Sequence, residues 1–314
     1  MRRKLKAGVI GVGAMGKNHA RLYSELPGVQ LVGVADANEA SGASVARNYD
    51  CKLYTDYHDL LAEELDIVSI VVPTTLHKQV AIDAIKKGMN VLVEKPIADT
   101  VEHADEIIKA ARKRAVKLMV GHVERFNPAV MKLKELIDSG LLGKVVSISA
   151  KRVGPYNPRI RDVGIILDLG THDIDIMSYL YGEKIKEVYA SAGTVVHSHE
   201  DHAIITLNFR NGSSGVIDTN WLTPHKVRNL TVIGSQGIAE VDCIEQTLRI
   251  FDREWIRDAK IEKGEPLKLE LMHFIECVRR DTKPLVSGEE GRHALEVALA
   301  AVDSARAGKA SSIR

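Results

Sequence analysis

This sequence of 314 residues has few cysteines, few aromatic residues and almost no net charge. Lys and Arg number 43 and Asp and Glu 42, a formal net charge of +1, so no strongly basic surface for a nucleic-acid polymer is expected. No apolar run approaches the about 20 residues of a membrane-spanning helix, so no membrane partner is expected either. The 24 Gly and 9 Pro exclude a low-complexity chain, and the length indicates about two globular domains.

The three cysteines are Cys51, Cys243 and Cys277, and no two of them form a C-x-x-C pair. This spacing predicts buried or half-buried thiols in a reducing compartment, with no disulfide framework and no zinc or redox motif. The basic N-terminus resembles the start of a signal peptide, but the apolar run after it is short and is broken by Gly8 and Gly11. We therefore expect a cytoplasmic protein that is not exported.

Residues 1–123 alternate short apolar runs with amphipathic segments of helix length. The runs are continuous and rich in β-branched side chains, which is typical of strands buried on both faces of a parallel sheet. The predicted strands are residues 6–10, 31–35, 67–72, 90–93 and 117–120, and the predicted helices are residues 17–26, 41–48, 76–87 and 100–114. This alternation predicts an α/β fold that begins with a Rossmann domain, a doubly wound parallel sheet with right-handed crossovers.

Residues 124–314 have a different pattern, which predicts a second, α+β domain. The predicted strands are residues 144–153, 187–196, 202–209, 214–221, 227–233, 237–243 and 247–251, and the helices are residues 128–139, 168–180, 267–279 and 290–307. Short turns join many of the strands, and Asn211-Gly212 is the strongest hairpin signal. We expect a large, mostly antiparallel open sheet with helices on one side, and a last helix able to pack back toward the first domain.

A G-x-G-x-x-G motif at residues 11–16 joins the first predicted strand to the first predicted helix. Its glycines are Gly11, Gly13 and Gly16, and Ala14 and Met15 are also assigned to the cofactor site. In this context the first glycine permits the tight turn, the second lets the backbone approach a pyrophosphate, and the third lets the helix pack close to the strand. The helix N-terminus then favours phosphate. The alternative is a glycine-rich turn that binds another ligand or none.

Asp36 lies at the end of the second predicted strand, about 20 residues beyond the last glycine of the motif. A carboxylate here accepts hydrogen bonds from the adenosine ribose hydroxyls and repels a 2′-phosphate. Ala37 and Asn38 follow it, with no Arg to receive such a phosphate. We therefore predict NAD rather than NADP as the cofactor.

Glu94, Lys95 and Pro96 directly follow the fourth predicted strand. Open α/β sheets bind ligands beyond the carboxyl ends of their strands, so this location puts Lys95 at the mouth of the cofactor crevice. Pro96 stiffens the turn and disfavours helical dihedral angles at Lys95. The alternative interpretation is a solvated lysine in a loop.

Asp168 and His172 are four residues apart at the start of a predicted helix and so share one face. A carboxylate beside an imidazole orients a general base and shifts its pKa. Asp173 and Asp175 fall off that face and are assigned to structure or charge. The alternative for the whole segment is an acidic first helical turn that contains a hydrogen-bonded histidine.

The segment 197–202 is rich in histidine and acid and superficially resembles a metal cluster. It lies between two predicted strands, so an exposed turn is the preferred interpretation. No H-E-x-x-H or cysteine-rich pattern occurs, and we expect no metal.

Taken together, these motifs resemble the Gfo/Idh/MocA oxidoreductase family, the relatives of glucose–fructose oxidoreductase and inositol dehydrogenase. The resemblance covers nearly the whole chain. It includes the glycine motif with His19 after it, the Glu94-Lys95-Pro96 turn and the D-x-G-x-H-x-x-D pattern from Asp168 to Asp175. It also includes residues 71–77, with Pro73, Thr74 and His77, and residues 284–290 before the last helix.

The resemblance implies a Rossmann domain followed by an α/β domain, whose open sheet carries substrate on one face and oligomer contacts on the other. It implies that Lys95, Asp168 and His172 surround the reacting carbon. It places Glu94 near the nicotinamide ribose, adds Pro73, Thr74 and His77 to the cofactor site, and implies a cis bond between Lys95 and Pro96. A homodimer or homotetramer through the C-terminal sheet is the expected assembly.

A narrower resemblance concerns residues 121–128, which are similar to the corresponding stretch of family members that oxidise C3 of UDP-N-acetylglucosamine or its uronate. It makes Arg125 and Asn127 candidates near substrate. Lys151, Arg152 and Tyr156 become candidates for a diphosphate or sugar. The alternative is an ordinary linker with Arg125 paired to an acid.

The predicted activity is NAD-dependent oxidation of a secondary sugar hydroxyl to a ketone, first at C3 of UDP-N-acetylglucosamine or a related UDP-sugar. His172 is the preferred general base and Lys95 stabilises the developing alkoxide, with a deprotonated Lys95 as the rival base. Asp168 orients the sugar or His172. The alternatives are a free sugar or inositol dehydrogenase and a catalytically silent NAD-binding sensor.

Overall fold

The structure is a computed structural model that describes residues 3–158 and 163–313. These residues divide into two compact units. The first comprises the described parts of Met1–His122 and Leu267–Arg292, and the second those of Val123–Pro266 and His293–Arg314. Among the described residues, none of the helices has both the length and the apolar character that a membrane crossing requires.

The first unit is built on a parallel sheet, which in the described part of the chain has six strands in the order β3-β2-β1-β4-β5-β6. The strands are β1 (Leu5–Ile10), β2 (Val29–Ala35), β3 (Lys52–Tyr54), β4 (Ile67–Ile70), β5 (Asn90–Glu94) and β6 (Leu118–Gly121), and the helices are α1 (Gly16–Glu25), α2 (Glu39–Asn48), α3 (Tyr57–Leu60), α4 (His77–Lys86) and α5 (Val101–Arg114). This order confirms the predicted Rossmann sheet.

The local sequence explains where these elements begin and why they are buried. All four residues of β4 are buried, as expected for a strand covered on both faces. Asn38 and Thr100 cap α2 and α5, because their side chains accept hydrogen bonds from the N–H groups of Ser41 and His103. Strand β3, only three residues long, was not predicted, so Glu94 ends the fifth strand and not the fourth.

The second unit contains a sheet of nine strands among the described residues, in the order β14-β13-β12-β11-β7-β10-β9-β8-β15. Its elements are α6 (Pro128–Asp138), β7 (Val145–Pro155), α7 (Thr171–Tyr181), β8 (Ile185–Gly193), β9 (His202–Phe209), β10 (Ser214–Asn220), β11 (Leu222–Gly234), β12 (Ile238–Asp242), β13 (Thr247–Phe251) and β14 (Ile256–Asp258), followed after Arg292 by the rest of the last helix and by β15 (Ser311–Ser312). Only β10 and β7 pair in parallel among the described pairs, which confirms the mostly antiparallel sheet.

One face of this sheet is covered by helices. Side chains alternate between buried and accessible along β9 and β10, and the buried set packs with Leu133 of α6, Met177 of α7 and Val297 of the last helix. Residues Asn211 and Gly212 form the predicted hairpin turn between β9 and β10. The sheet therefore has one face in the core and one face that is not covered by these helices.

The division of the chain differs from the predicted domains 1–123 and 124–314 in one segment. Residues Leu267–Arg292, with α8 (Pro266–Arg280) and the start of α9 (Gly288–Ala307), belong to the first unit. The N–H of Val120 in the edge strand β6 donates to the carbonyl of Val286 at 3.0 Å. The returning segment thereby supplies a hydrogen-bond acceptor to the backbone of an edge strand. Sequence periodicity does not indicate this pairing.

Candidate active site

Each of the three motif glycines of the first unit has different steric surroundings, which explain why a glycine stands there. Gly11 has φ +85°, and a Cβ there would lie 2.5 Å from the carbonyl oxygen of Val71. A Cβ on Gly16 would lie 1.9 Å from the carbonyl oxygen of Gly11, so only glycine lets α1 start this close to the turn. Gly13 faces open space, with nothing within 4 Å of its Cβ position. The loop thus closes on itself at Gly11 and Gly16 and leaves room over Gly13 for a ligand.

Asp36 is fixed beside this loop by two backbone hydrogen bonds. Its Oδ2 accepts from the N–H of Val12 at 2.8 Å and its Oδ1 from the N–H of Asn38 at 2.8 Å. Gly11, Gly13, Asp36 and Pro73 line one cleft of about 530 Å³ at the carboxyl ends of β1, β2 and β4. An acidic group held next to the glycine loop fits the ribose of a dinucleotide whose pyrophosphate lies over Gly13.

The other predicted cofactor residues lie around the same loops, but His77 is occupied by the fold. Ala14 and Met15 precede α1, and Thr74 begins the 3-10 turn Thr74–Leu76. His77 is buried, with Nδ1 2.9 Å from the carbonyl oxygen of Pro96 and Nε2 2.9 Å from that of Val72. Burial lowers the pKa of His77 despite these two acceptors. His77 therefore ties the turn after β4 to the turn after β5, and its expected contact with the cofactor stays a prediction.

Glu94 is held by a buried chain of polar groups that the sequence analysis did not anticipate. Nε2 of His19 lies 3.1 Å from Oε1 of Glu94, and Nδ1 of His19 lies 3.1 Å from the Ser69 hydroxyl. The Tyr23 hydroxyl continues the chain, 2.8 Å from that of Ser69. A histidine three residues beyond the last motif glycine was visible in the sequence, but its partner on β5 was not.

Lys95 follows Glu94 in a rigid turn. The Lys95–Pro96 peptide bond is cis, which confirms the expectation from the family resemblance. The Glu94 Oε2 atom accepts from the Lys95 N–H at 3.1 Å. Burial acts to raise the pKa of Glu94, but the His19 ring and the Lys95 N–H outweigh it and hold this pKa below its usual value. Glu94 is thus kept ionised next to Lys95.

Asp168 and His172 of the second unit lie on one continuous helical segment. Asp168 is in the π turn Ile166–Gly170, and His172 is in the first turn of α7, which follows without a break. The N–H of Thr171 reaches the carbonyl of Ile166, five residues back, and Gly182, with φ +63°, ends α7. The predicted helix is confirmed, but a π turn at its start was not foreseen and is a feature often found at functional sites.

Trp221 contacts Asp168, which sequence reasoning missed. The indole Nε1–H donates to Oδ2 of Asp168 at 3.3 Å. Tyr156, one of the predicted substrate residues, lies with its ring centroid 5.3 Å from that of Trp221. No pattern in the sequence joins these residues, because strand pairing brings them together across 65 positions of chain.

Arg125, Asn127 and Arg152 were expected near substrate, but the structure gives each a partner inside the second unit. Arg125 makes two hydrogen bonds to Asp175, with Nε at 2.8 Å and Nη2 at 2.7 Å. Arg152 makes two to Asp173, at 2.9 and 3.0 Å. All four side chains are almost wholly buried, so each guanidinium group neutralises an acid of α7, and the expected place of these arginines near substrate stays a prediction.

Glu124 and Asn127 belong to the same buried polar network. Nη1 of Arg152 also donates to Glu124 at 2.9 Å, and Arg152 and Arg228 lower the pKa of the Glu124 carboxyl although burial opposes them. Asn127 caps α6, accepting from the N–H of Ala129 at 3.0 Å and donating to the carbonyl of Cys243 at 2.8 Å. Arg125 is paired to an acid, as the alternative interpretation expects, while a place near substrate for Arg125 and Asn127 stays a prediction.

The histidine- and acid-rich segment 197–202 is organised by Asp201. Its Oδ2 accepts from the N–H groups of Val195 and Val196 at 2.8 and 2.7 Å, and its Oδ1 lies 2.9 Å from Nδ1 of His202. Burial opposes ionisation, but these donors hold the pKa of Asp201 well below its usual value. Among the described residues no group of three or more His, Cys, Asp or Glu side chains is arranged to hold a metal ion.

Comparison with known proteins decides the family. The family model described as "Oxidoreductase family, NAD-binding Rossmann fold" matches residues 5–122, and the model "GFO/IDH/MocA C-terminal domain" matches residues 130–240. The chain belongs to the Gfo/Idh/MocA oxidoreductase family. The match confirms the resemblance drawn from the motifs and, with it, NAD as the cofactor of the Rossmann unit.

Individual relatives span almost the full chain. The UDP-N-acetylglucosamine 3-dehydrogenase of Acidithiobacillus ferrooxidans is 32% identical over 305 residues, which cover 94% of this chain and 95% of the relative. Its solved structure superposes with a TM-score of 0.91 and covers 98% of this chain and 99% of that one, at 31% identity. The scyllo-inositol 2-dehydrogenase (NAD(+)) of Bacillus subtilis is 30% identical over 330 residues, which cover 98% of this chain and 96% of that relative.

Proposed function

We propose that this oxidoreductase oxidises a secondary hydroxyl of a UDP-sugar to a ketone with NAD, and that the substrate is UDP-N-acetylglucosamine, oxidised at C3. The observation that carries the proposal is the 32% identity, over 94% of the chain, to a UDP-N-acetylglucosamine 3-dehydrogenase. The similarity of residues 121–128 to members of the family that act on sugar nucleotides supports the same substrate class.

A second candidate substrate is a free inositol or sugar. The observation that favours it is the 30% identity to a scyllo-inositol 2-dehydrogenase over 98% of the chain. Both candidates need the same chemistry at the reacting carbon, so they differ only in what the protein recognises beyond that carbon. Arg125 and Arg152 are already paired with Asp175 and Asp173, so we propose that a UDP-sugar also uses other groups to bind its diphosphate.

The first unit offers a complete set of groups for the dinucleotide. The backbone of Gly13 and the N-terminus of α1 would hold the pyrophosphate, and Asp36 would accept from the ribose hydroxyls of the adenosine. Pro73 and Thr74 would lie along the cofactor, and Glu94 near the nicotinamide ribose. When bound, NAD supplies the hydride acceptor at C4 of its nicotinamide ring.

The chain's own residues manage the proton and the charge. The substrate CH–OH group loses its carbon-bound hydrogen as hydride and its hydroxyl proton to a base, which leaves a C=O group and yields NADH and one proton. We assign the base to His172, because imidazole is the side chain best suited to take up a proton near neutral pH. Lys95 donates a hydrogen bond to the same oxygen and stabilises the developing alkoxide, and Asp168 orients the sugar or His172.

A substrate screen tests this proposal. NADH formation is measured with UDP-N-acetylglucosamine, N-acetylglucosamine, N-acetylglucosamine 1-phosphate and myo-inositol, each with NAD and with NADP. We expect turnover with the UDP-sugar and NAD only, and product analysis places the ketone at C3. Turnover of myo-inositol with an inert UDP-sugar would instead establish the second candidate.

The screen also separates an enzyme from a silent sensor. A sensor binds NAD, measured by calorimetry, and reduces it with none of the sugars. The presence of Lys95, Asp168 and His172 together favours an enzyme over a sensor, because a protein that only binds NAD needs no lysine and histidine suited to proton transfer.

We also propose that the protein forms a homodimer or homotetramer through the open face of the nine-stranded sheet. The side chains of Tyr189, Ile204, Val216 and Ile233 project from that sheet and are each more than 40% exposed. An apolar surface of this kind on a regular sheet is typical of a subunit interface.

A further inference from the structure

Four strands of the second unit, β7, β9, β10 and β11, have ends close together, and the register places three residues there side by side. Leu222 of β11 pairs with Pro155 of the antiparallel β7, so Trp221, just before Leu222, and Tyr156, just after Pro155, lie across from each other. Asn220 pairs with His202, which brings Trp221 next to Asp201. The N–H of Trp221 then donates to the carbonyl of Asp201 at 2.9 Å. The backbone of Trp221 is therefore fixed by the sheet itself.

The indole ring is fixed by a second set of contacts. The rings of Tyr156 and His197 are stacked, with centroids 3.8 Å apart and planes at 29°. Trp221 presents an edge to both, at 5.3 Å from Tyr156 and 5.9 Å from His197. Edge-to-face packing of this kind constrains the orientation of a ring as well as burying it. Trp221 is only 5% exposed.

The loop that carries His197 is tied to the same edge. The Asp201 carboxylate accepts from the N–H groups of Val195, Val196 and His197. The carbonyl of Glu200 accepts from the N–H of Ile165 at 2.9 Å, directly before the π turn that holds Asp168. The contacts form a closed ring, which runs from Asp201 through the loop, the aromatic rings and Asp168 and returns to Asp201.

The one polar atom of the indole points to a single target in this ring of contacts, Oδ2 of Asp168. An indole N–H is a donor only and carries no charge. It therefore constrains the rotation of the carboxylate and brings no charge to it. Asp168 thus has an aromatic donor among its contacts.

We propose that Trp221 is a positioning residue of the active site, which holds the Asp168 carboxylate in its working orientation and is itself held by the Tyr156–His197 stack. The inference rests on the proposed function, because it takes Asp168 as a group that touches substrate. Its consequence is that the loop with His197 influences turnover through Asp168.

Kinetics of two tryptophan variants form the first arm of the test. Trp221→Phe keeps a ring and removes the N–H, and Trp255→Phe is the matched control because Trp255 is 62% exposed. On whichever sugar the wild type oxidises, we expect Trp221→Phe to lower kcat on the order of 10-fold with little change in KM. A Trp221→Phe variant with the kcat of Trp255→Phe would overturn the proposal.

The second arm uses the indole N–H signals in a ¹H–¹⁵N spectrum of the full chain without substrate. The sequence has 2 Trp, so the signal lost in Trp255→Phe identifies both. We expect Asp168→Ala and His197→Ala to shift the Trp221 signal and to leave that of Trp255 in place, and Asp168→Ala to speed exchange of the Trp221 indole hydrogen. A Trp221 signal indifferent to Asp168→Ala refutes the contact, and this arm does not depend on the folding of Trp221→Phe.

The two arms separate the failure of this inference from the failure of the proposed function. If the wild type oxidises no sugar while the Trp221 signal still responds to Asp168→Ala, the proposed function fails and the contact stands. If a sugar is oxidised and Trp221→Phe is as active as the control, the proposed function stands and the positioning role fails.

Discussion

His19 and Glu94 join the first helix of the Rossmann unit to the end of its fifth strand, with Nε2 of His19 3.1 Å from Oε1 of Glu94. His19 is fully buried and Glu94 nearly so. A carboxylate in such a place needs hydrogen-bond donors, since an unpaired buried charge is costly. The glycine motif thus has a second consequence beside its proposed role toward phosphate, because the helix it starts also delivers a partner for Glu94.

Replacing this partner should weaken both the fold and cofactor binding. His19→Ala leaves Glu94 without its ring donor, so we expect the free energy of unfolding to fall by about 1 to 3 kcal/mol. Denaturation with urea measures the loss, and calorimetry with NAD measures the affinity, which we expect to fall. The control is His225→Ala, at an exposed position of β11, expected to change stability by less than about 0.5 kcal/mol. Equal stabilities for the two variants would contradict a supporting role of His19.

Asp36 should decide the choice between NAD and NADP. Its carboxylate is already positioned by Val12 and Asn38, so Asp36→Ala removes an oriented acceptor for the ribose. We expect kcat/KM with NAD to fall on the order of 10- to 100-fold, and the value with NADP to fall less or to rise. Glu39→Ala removes an exposed acid nearby and serves as the control. A wild type that prefers NADP would refute this role of Asp36.

Lys95 should be needed for turnover and not for cofactor binding. We expect Lys95→Met to lower kcat on the order of 1000-fold, because the developing alkoxide loses its charged donor. The affinity for NAD, measured by calorimetry, should remain near that of the wild type. Lys87→Met, at an exposed position at the end of α4, provides the comparison. A near-normal rate for Lys95→Met would mean that the catalytic assignment is wrong.

Asp201 should make the second unit sensitive to acid. Its pKa is depressed in the folded protein, so its contribution to stability is complete above about pH 5 and is lost as the pH falls through and below the unfolded value of about 3.9. We expect Asp201→Asn to lower the free energy of unfolding by about 1 to 3 kcal/mol at pH 7. The difference from the wild type should shrink as the pH approaches 3, whereas the exposed Asp303→Asn shows no such trend. A difference independent of pH would exclude Asp201 ionisation as its cause.

The open face of the nine-stranded sheet should carry the subunit contact. Ile204 and Val216 project from adjacent strands and are 47% and 41% exposed. Ile204→Lys with Val216→Lys places two charges in the proposed interface, and we expect a smaller species in light scattering after gel filtration. Val195→Lys, at a loop position that is 68% exposed, should leave the oligomer unchanged. An oligomer unaffected by the sheet variants would place the interface elsewhere.

The sequence predicted the regular elements well because their local causes are strong. The buried strands read as β-branched runs, Gly182 ended α7 as expected, and the residues Gly11 and Gly16 have the steric demands that the motif implies. Strand β3 was missed because Lys52–Tyr54 is too short to show a periodic pattern. The Lys95–Pro96 cis bond came from family resemblance and not from any pattern in the residues.

What the sequence did not predict are partners that are distant along the chain. Arg152 became a diphosphate or sugar candidate through the family resemblance, and its place within a predicted strand gives no sign of the acid that it meets. Its partner Asp173 was correctly assigned to structure or charge, but the two could be joined only by the packing of α7 on β7. Trp221 was unnoticed for the same reason, since Asp168 lies far from it in sequence.

Because of the π turn Ile166–Gly170, the orientation of Asp168 depends on the number of residues in this segment. A π turn contains one residue more than the α turn that could replace it, and each residue of an α-helix turns by about 100°. Loss of any single residue between Ile166 and Gly170 would allow a regular helix and would rotate what precedes it around the axis of α7. The direction in which Asp168 points is therefore encoded by the number of residues before His172 as much as by their identity.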